Sequence, residues 1–312
     1  MADGGILPAA KFDDPHLTAK GEKRAWVPMA RLETLWLNSG TLCNIACANC
    51  YIESTPTNDA LIYLSLDHAL PYLDEAREMG TREIGITGGE PFMNPDMLGI
   101  IEAALDRGFE VLVLTNAMRP MMRPKIMAGL RAIGGERRTR LTMRISLDHY
   151  TEELHDEERG EGSFAIAMEG IRWLGEQGFE IAIAGRTIFG EDEATAREGY
   201  RRAMADIGVE LDVTDPKRLV LFAEMRAKDD PPEITTSCWG ILHKQPTEIM
   251  CSSSRMVVHR KGAEAPVVLS CTLLAYDERF EMGRTLKEAS KPVSLNHPWC
   301  ATFCVLGGSS CS

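Results

Sequence analysis

The sequence predicts an α/β fold: a parallel sheet with helices packed outside it, followed by a small cysteine-rich α+β domain. Three observations carry this reading. Apolar, strand-like runs alternate with amphipathic helical stretches between residues 32 and 222, the pattern of a parallel sheet covered by helices. Gly80, Gly108, Gly178 and Gly208 each follow a helical stretch and precede a strand-like run, as helix C-terminal stops do. The nine cysteines fall into two groups, three within Cys43 to Cys50 and six between Cys238 and Cys311.

Taken in order, residues 1–30 read as an arm, rich in Gly, Pro and Ala and without a clear period. Strands are expected at Leu32–Leu37, Glu83–Thr87, Phe109–Leu114, Leu141–Leu147, Glu180–Ala184 and Arg218–Phe222. Helices are expected at Leu66–Met79, Pro95–Arg107, Pro120–Ile133, Ser163–Gln177 and Glu193–Ile207. Pro95 and Pro120 suit a first helical turn, where a missing N–H costs nothing. Six such units either close as an incomplete barrel or stay open as a doubly wound sheet. In both, function sits on the loops after the strands' C-terminal ends. Those exits carry Cys43, Cys47 and Cys50; Gly88-Gly89-Glu90-Pro91; Thr115-Asn116; Ser146-Leu147-Asp148; and Gly185-Arg186-Thr187. Beyond residue 224 a hairpin is expected from Met256–His259 and Pro266–Leu269 around Lys261-Gly262, with a short helix near Thr285–Ala289. The expected domains are the arm 1–30, a core 31–225 and an auxiliary region 226–312.

The 312 residues carry 34 Lys and Arg against 46 Asp and Glu, a net charge of −12. A surface that tracks phosphates needs a basic excess, so nucleic-acid and anionic-membrane binding are disfavoured. Hydrophobic content is 44% and charged content 26%, ordinary for a globular chain. No apolar run reaches the roughly 18 residues of a membrane span, and no signal-peptide pattern opens the sequence. The expected location is therefore the cytoplasm, where thiols stay reduced and nine cysteines speak for metal rather than disulfides.

Cys43-Asn-Ile-Ala-Cys47-Ala-Asn-Cys50 is a C-x3-C-x2-C run. Three such thiolates converge on one soft centre. It is either structural zinc with a fourth ligand from elsewhere, or an iron–sulfur cubane with one iron left open. Together with Gly88-Gly89-Glu90-Pro91 on the next strand exit, the run resembles the radical S-adenosylmethionine (radical SAM) superfamily over about residues 32 to 225. The resemblance implies a partial (β/α)6 radical-SAM-type barrel. It implies that Cys43, Cys47 and Cys50 hold a [4Fe–4S] cluster whose open iron binds the methionyl end of S-adenosylmethionine. Reductive cleavage would release methionine and a 5′-deoxyadenosyl radical, which abstracts a substrate hydrogen. Glu90 would then neutralise the methionyl ammonium, with Gly88 and Gly89 allowing close backbone approach. Thr115 and Asn116 would bond the ribose or methionyl part, and Ser146, with help from Asp148, the ribose. Arg186 would pair with the cofactor's carboxylate. The family's aromatic residue before the third cysteine is absent: Asn49 stands there, and Tyr51 follows the cysteine. Asp148, His149, Tyr150 and His155 are candidates to face substrate.

The second group runs Cys251-x19-Cys271-x28-Cys300-x3-Cys304-x6-Cys311, with Cys238 before it. It resembles the auxiliary-cluster domains of radical enzymes, called Twitch when short and SPASM when longer. That resemblance implies an auxiliary Fe–S cluster on Cys251, Cys271, Cys300 and Cys304, with Cys238 or Cys311 as substitutes. The expected function is hydrogen abstraction from a small molecule or peptide, driven by an electron donor such as flavodoxin or ferredoxin. The alternative is a zinc- or Fe–S-stabilised binding or electron-transfer protein.

Overall fold

The computed structural model describes residues 10–222 and 230–307. They form two compact units. Residues 10–31, 230–253 and 290–307 belong to one, and residues 32–222 and 254–289 to the other. Cys311 lies outside the described residues.

The larger unit is built on one sheet. Its strands are β1 (Thr34–Asn38), β2 (Glu83–Thr87), β3 (Glu110–Thr115), β4 (Leu141–Ser146), β5 (Glu180–Arg186), β6 (Leu219–Phe222), β7 (Ser254–Val258), β8 (Val267–Leu269) and β9 (Glu281–Gly283). The spatial order is β9-β8-β7-β1-β2-β3-β4-β5-β6. β1 through β6 are parallel neighbours in sequence order, and β7 adds to β1 in the same direction. β8 and β9 follow antiparallel. All six expected core strands are present, and among the described residues the sheet is open, with no pairing between β6 and β9. The expected hairpin is also there, and its first strand extends the main sheet beside β1.

The longer helices are α1 (Leu66–Glu78), α2 (Met97–Asp106), α3 (Pro124–Ala132), α4 (Glu152–Arg159), α5 (Ser163–Glu176) and α6 (Glu193–Asp206). Their starts are chemically marked. Ser65 Oγ accepts from His68 N at α1, and Asp192 accepts from Thr195 N at α6, each satisfying a donor the helix leaves open. The four glycine stops all lie at positive φ, from +71° to +91°, the left-handed closure expected of them. Two starts differ from expectation. Pro124, not Pro120, heads α3, and Pro95 precedes α2, whose flanking residue is Asp96. The segment near Thr285–Ala289 is a hydrogen-bonded turn rather than a helix.

Parallel pairing places the strand exits along one edge. Asn38 registers with Thr87, Thr115 with Ile145, and Ser146 with Ala184. β1 is buried along its whole length, and Ile84, Ile86, Val113, Met143, Ile145 and Ile183 are wholly or almost wholly buried. The exits therefore project from a rigid apolar floor.

The smaller unit pairs Trp26–Val27 antiparallel with Val293–Ser294. Ala25, Val27, Ile234, Ile249, Leu295, Ala301 and Val305 form its apolar core. Fully buried Arg24 pairs there with Glu233. Among the described residues no helix is long and apolar enough to cross a membrane.

Candidate active site

The cysteine loop begins where β1 ends, and β2's exit holds it in place. Ser39 N donates to Thr87 O (2.7 Å), Gly89 N to Gly40 O (2.8 Å) and Glu90 N to Leu42 O (3.1 Å). A Cβ on Gly89 would stand 2.1 Å from Leu42 O, and one on Gly88 2.5 Å from Gly40 O. The two glycines thus let the second strand exit lie against the chain leading into Cys43. Here the close approach is to the protein's own backbone.

The rest of the loop is pinned by elements far away in sequence. Cys43 N donates to Thr55 O, and Ser54 N lies 3.3 Å from Cys50 Sγ. From α4, Glu158 receives Ala48 N on its backbone carbonyl and Asn49 Nδ2 on both carboxylate oxygens, at 3.0 and 2.9 Å. Tyr276 Oη donates to Ile52 O at 2.6 Å. Sequence reading missed Glu158, Arg159 and Tyr276. α4 has no apolar period to reveal it; its faint signals are Thr151 before the acidic first turn and Gly160 after Arg159.

The thiols are shielded. Cys43 is buried, and burial pushes its thiol up to about 12, with the Glu90 charge adding to the shift and the Ile45 N–H opposing it. Burial also raises Cys47, while the Arg159 guanidinium opposes. Burial thus disfavours the thiolate forms of Cys43 and Cys47, and a cation is needed to balance them. Arg159 interacts electrostatically with Cys47, Cys50 and Asp148. Burial disfavours its charge, yet Asp148, Cys47 and Cys50 together hold it more firmly protonated than a free arginine. It donates to Asp148 twice, at 2.7 and 3.0 Å.

Arg186 donates from Nε to the same carboxylate at 3.3 Å and from Nη2 to Asn49 O, with its guanidinium 4.7 Å from the Tyr51 ring centroid. Burial raises the Asp148 carboxyl, but Arg159 and Arg186 outweigh it and hold it below the usual range. Arg186 Nη1 is a buried donor with no partner among the described residues. One arm of the fork thus remains for an anion.

Glu90 is 1% exposed, and its carboxylate accepts Thr115 Oγ1 (2.8 Å), Asn116 N (2.9 Å) and Phe92 N (3.2 Å). Burial nevertheless raises it to about 7. Thr115 and the Asn116 backbone therefore orient Glu90. Asn116 Nδ2 lies 2.9 Å from Asn44 Oδ1 and 3.9 Å from Cys43 Sγ, tying the third exit to the cysteine loop. Ser146 ends β4, half-buried. His149 Nδ1 accepts from Thr151 N, which leaves Nε2 to donate to Glu191 at 3.0 Å, and Tyr150 Oη donates to the same carboxylate. His155 is buried with both ring nitrogens unpartnered among the described residues, and burial lowers it to about 4.

The comparisons bear on this arrangement. A profile of the radical SAM superfamily matches residues 37–201, more than half of the chain. The chain belongs to the radical SAM superfamily. Similar proteins include the antilisterial bacteriocin subtilosin biosynthesis protein AlbA of Bacillus subtilis, 33% identical over 46% of this chain and 30% of its own. The AdoMet-dependent heme synthase of Methanosarcina barkeri is 32% identical over 45% of this chain and 38% of its own. Mycofactocin maturase MftC of Mycobacterium ulcerans is 32% identical over 45% and 36%. The chain thus spans about a third of the length of these relatives. Two solved structures share the fold. Streptococcus suis SuiB bound to S-adenosylmethionine has a TM-score of 0.57 at 12% identity, over 89% of this chain and 68% of its own. Native anSMEcpe with bound AdoMet has 0.57 at 13% identity, over 85% and 81%.

Radical SAM proteins use a [4Fe–4S] cluster and S-adenosylmethionine. The donor set here fits both: three thiols on one anchored loop for the cluster, and the orphaned Arg186 Nη1 for an anionic group. No three His, Cys, Asp or Glu side chains among the described residues surround a single-ion position.

In the smaller unit, Cys238, Cys251, Cys300 and Cys304 all pack on the apolar core, and Cys300 and Cys304 share the π-helical segment Cys300–Leu306. Cys271 follows β8 in the larger unit, where Leu273 N lies 3.4 Å from its sulfur.

Proposed function

We propose that this chain is a radical SAM enzyme that abstracts hydrogen from a peptide. The observation that carries the reading is the anchored loop of Cys43, Cys47 and Cys50, backed by Gly88-Gly89 and flanked by the buried, triply bonded Glu90. When bound, the cluster supplies the electron that splits the sulfonium of S-adenosylmethionine, releasing methionine and the 5′-deoxyadenosyl radical.

The chain's own residues do the rest. Glu90, ionised above about pH 7, receives the methionyl amine and is held for it by Thr115 and Asn116. Arg186 offers its remaining donor to the carboxylate, steadied by Asp148 and Tyr51. Ser146 serves the ribose. In the second group, Cys238, Cys251, Cys300 and Cys304, which pack on one apolar core, serve an auxiliary cluster. A peptide substrate is supported by relatives named for bacteriocin biosynthesis and mycofactocin maturation. It is also supported by SuiB, known in complex with a precursor peptide. One electron enters from a carrier such as flavodoxin or ferredoxin.

The test is anaerobic reconstitution, reduction and addition of S-adenosylmethionine. Equimolar 5′-deoxyadenosine and methionine are expected. A protein with its full complement of iron that forms neither refutes the proposal.

A further inference from the structure

The cysteine loop has a second face. A cleft of about 480 Å3 runs along it, walled by Asn44 and Ile45 of the loop, floored by Met93, Met118 and Ile166, and rimmed by Arg119 and Arg123. None of Glu90, Asp148 or Arg186 lines it. The groups proposed to hold the methionyl end thus stay outside the cleft's lining.

Its charge runs against the rest of the molecule. The chain carries −12 overall, yet residues 111–135 contain Arg119, Arg123, Lys125 and Arg131 and no Asp or Glu. Arg119, Arg123 and Lys125 are exposed, and none makes an ion pair among the described residues. Arg123 donates to the Pro120 and Phe92 carbonyls, which fixes the guanidinium without neutralising it. The path inward is short: Asn44 accepts from Asn116 Nδ2, which lies 3.9 Å from Cys43 Sγ.

We infer that this basic rim docks an acidic protein carrying a one-electron centre, and that reduction of the metal loop takes place through the Asn44 wall. The inference rests on the proposed function, because it takes Cys43 as a ligand of a reducible cluster. The step moves one electron: the carrier is oxidised by one, the cluster is reduced by one, and no bond forms or breaks. A cationic rim in an acidic chain both attracts such a partner and orients it. A substrate peptide, by contrast, must reach the proposed cofactor site, and none of Glu90, Ser146 or Arg186 lines this cleft.

The test measures binding of oxidised flavodoxin, an acidic flavoprotein, to the reconstituted protein at low salt. Arg119→Glu with Lys125→Glu is the variant of choice, since neither side chain makes a hydrogen bond among the described residues. Arg123→Glu is a second variant. The expected result is at least a tenfold weaker Kd in each variant, with wild-type affinity falling as salt rises. Dithionite-driven formation of 5′-deoxyadenosine is expected to stay unchanged. Equal Kd values in wild type and both variants, or no wild-type binding, would overturn the inference. So would a variant that keeps flavodoxin but loses a polyglutamate peptide, which would assign the rim to acidic peptides. If binding behaves as expected while dithionite yields no cleavage, the docking surface stands and the proposed function falls.

Discussion

Glu90 shows how one carboxylate is prepared by its surroundings. Three donors favour its charge, and burial outweighs them, leaving it near 7. A folded value above the usual carboxylate range means ionisation lags: Glu90 is neutral at pH 6 and charged at pH 8. Affinity for S-adenosylmethionine is therefore expected to rise through that interval, and calorimetry on the reconstituted protein measures it. Glu90→Gln should flatten the profile and weaken binding about tenfold or more, the worth of one charge-assisted hydrogen bond. Cys47→Ala should abolish 5′-deoxyadenosine formation with the circular dichroism of the fold intact. The chemistry of these residues was legible in the sequence because spacing and residue type carry it. Their mutual contacts were not. That Thr115 and Asn116 serve Glu90 follows only from the register of neighbouring strands.

At the scale of elements, sequence periodicity works where one face is apolar, and it located the six core strands and five flanking helices. It fails on α4, whose eight residues include five acids. That helix is set by its contacts, with Glu158 holding the cysteine loop and Arg159 holding Asp148. Glu158→Ala removes two hydrogen bonds to a charged group. It should cost about 1.5–3 kcal/mol and lower iron retention, measured by urea unfolding and iron assay. Gly89→Ala tests the opposite contact. Its methyl would meet the Leu42 carbonyl, a backbone atom that cannot swing away. A loss of about 1–3 kcal/mol is expected from overpacking, together with poor cluster assembly. The short helix expected near Thr285–Ala289 formed only a turn: the N–H groups of Thr285, Leu286 and Lys287 go to the Glu288 and Glu75 carboxylates, and one turn is too short to propagate as a helix.

The whole molecule divides its thiols between an anchored loop on the sheet and a second group that no periodicity organises. The length of sequence between cysteines said little about which of them gather. Three of the four thiols on the smaller unit's core were anticipated as ligands, and Cys238 only as a substitute. Iron analysis should find about eight atoms per chain, two four-iron clusters, falling to about four when Cys300 is replaced by Ala. Stability of the smaller unit should depend on acid. Burial raises the Glu233 carboxyl, but the Phe12 and Ala19 N–H groups and Arg24 hold it below its ordinary value. A depressed carboxylate contributes stability above its unfolded pKa, lost as pH falls through the lower folded value. Glu233→Gln should remove that dependence and cost about 3–5 kcal/mol, since it leaves Arg24 buried without a counter-charge.

One spectrum decides the central claim, an open coordination position on the fourth iron of a cluster whose other three irons are held by Cys43, Cys47 and Cys50. The reduced protein is mixed with S-adenosylmethionine labelled with 15N at the amine, and electron–nuclear double resonance is recorded. A nitrogen hyperfine coupling that appears with the labelled cofactor is the expected result. A spectrum unchanged by the cofactor, from a cluster bound by four side chains of the protein, would contradict it.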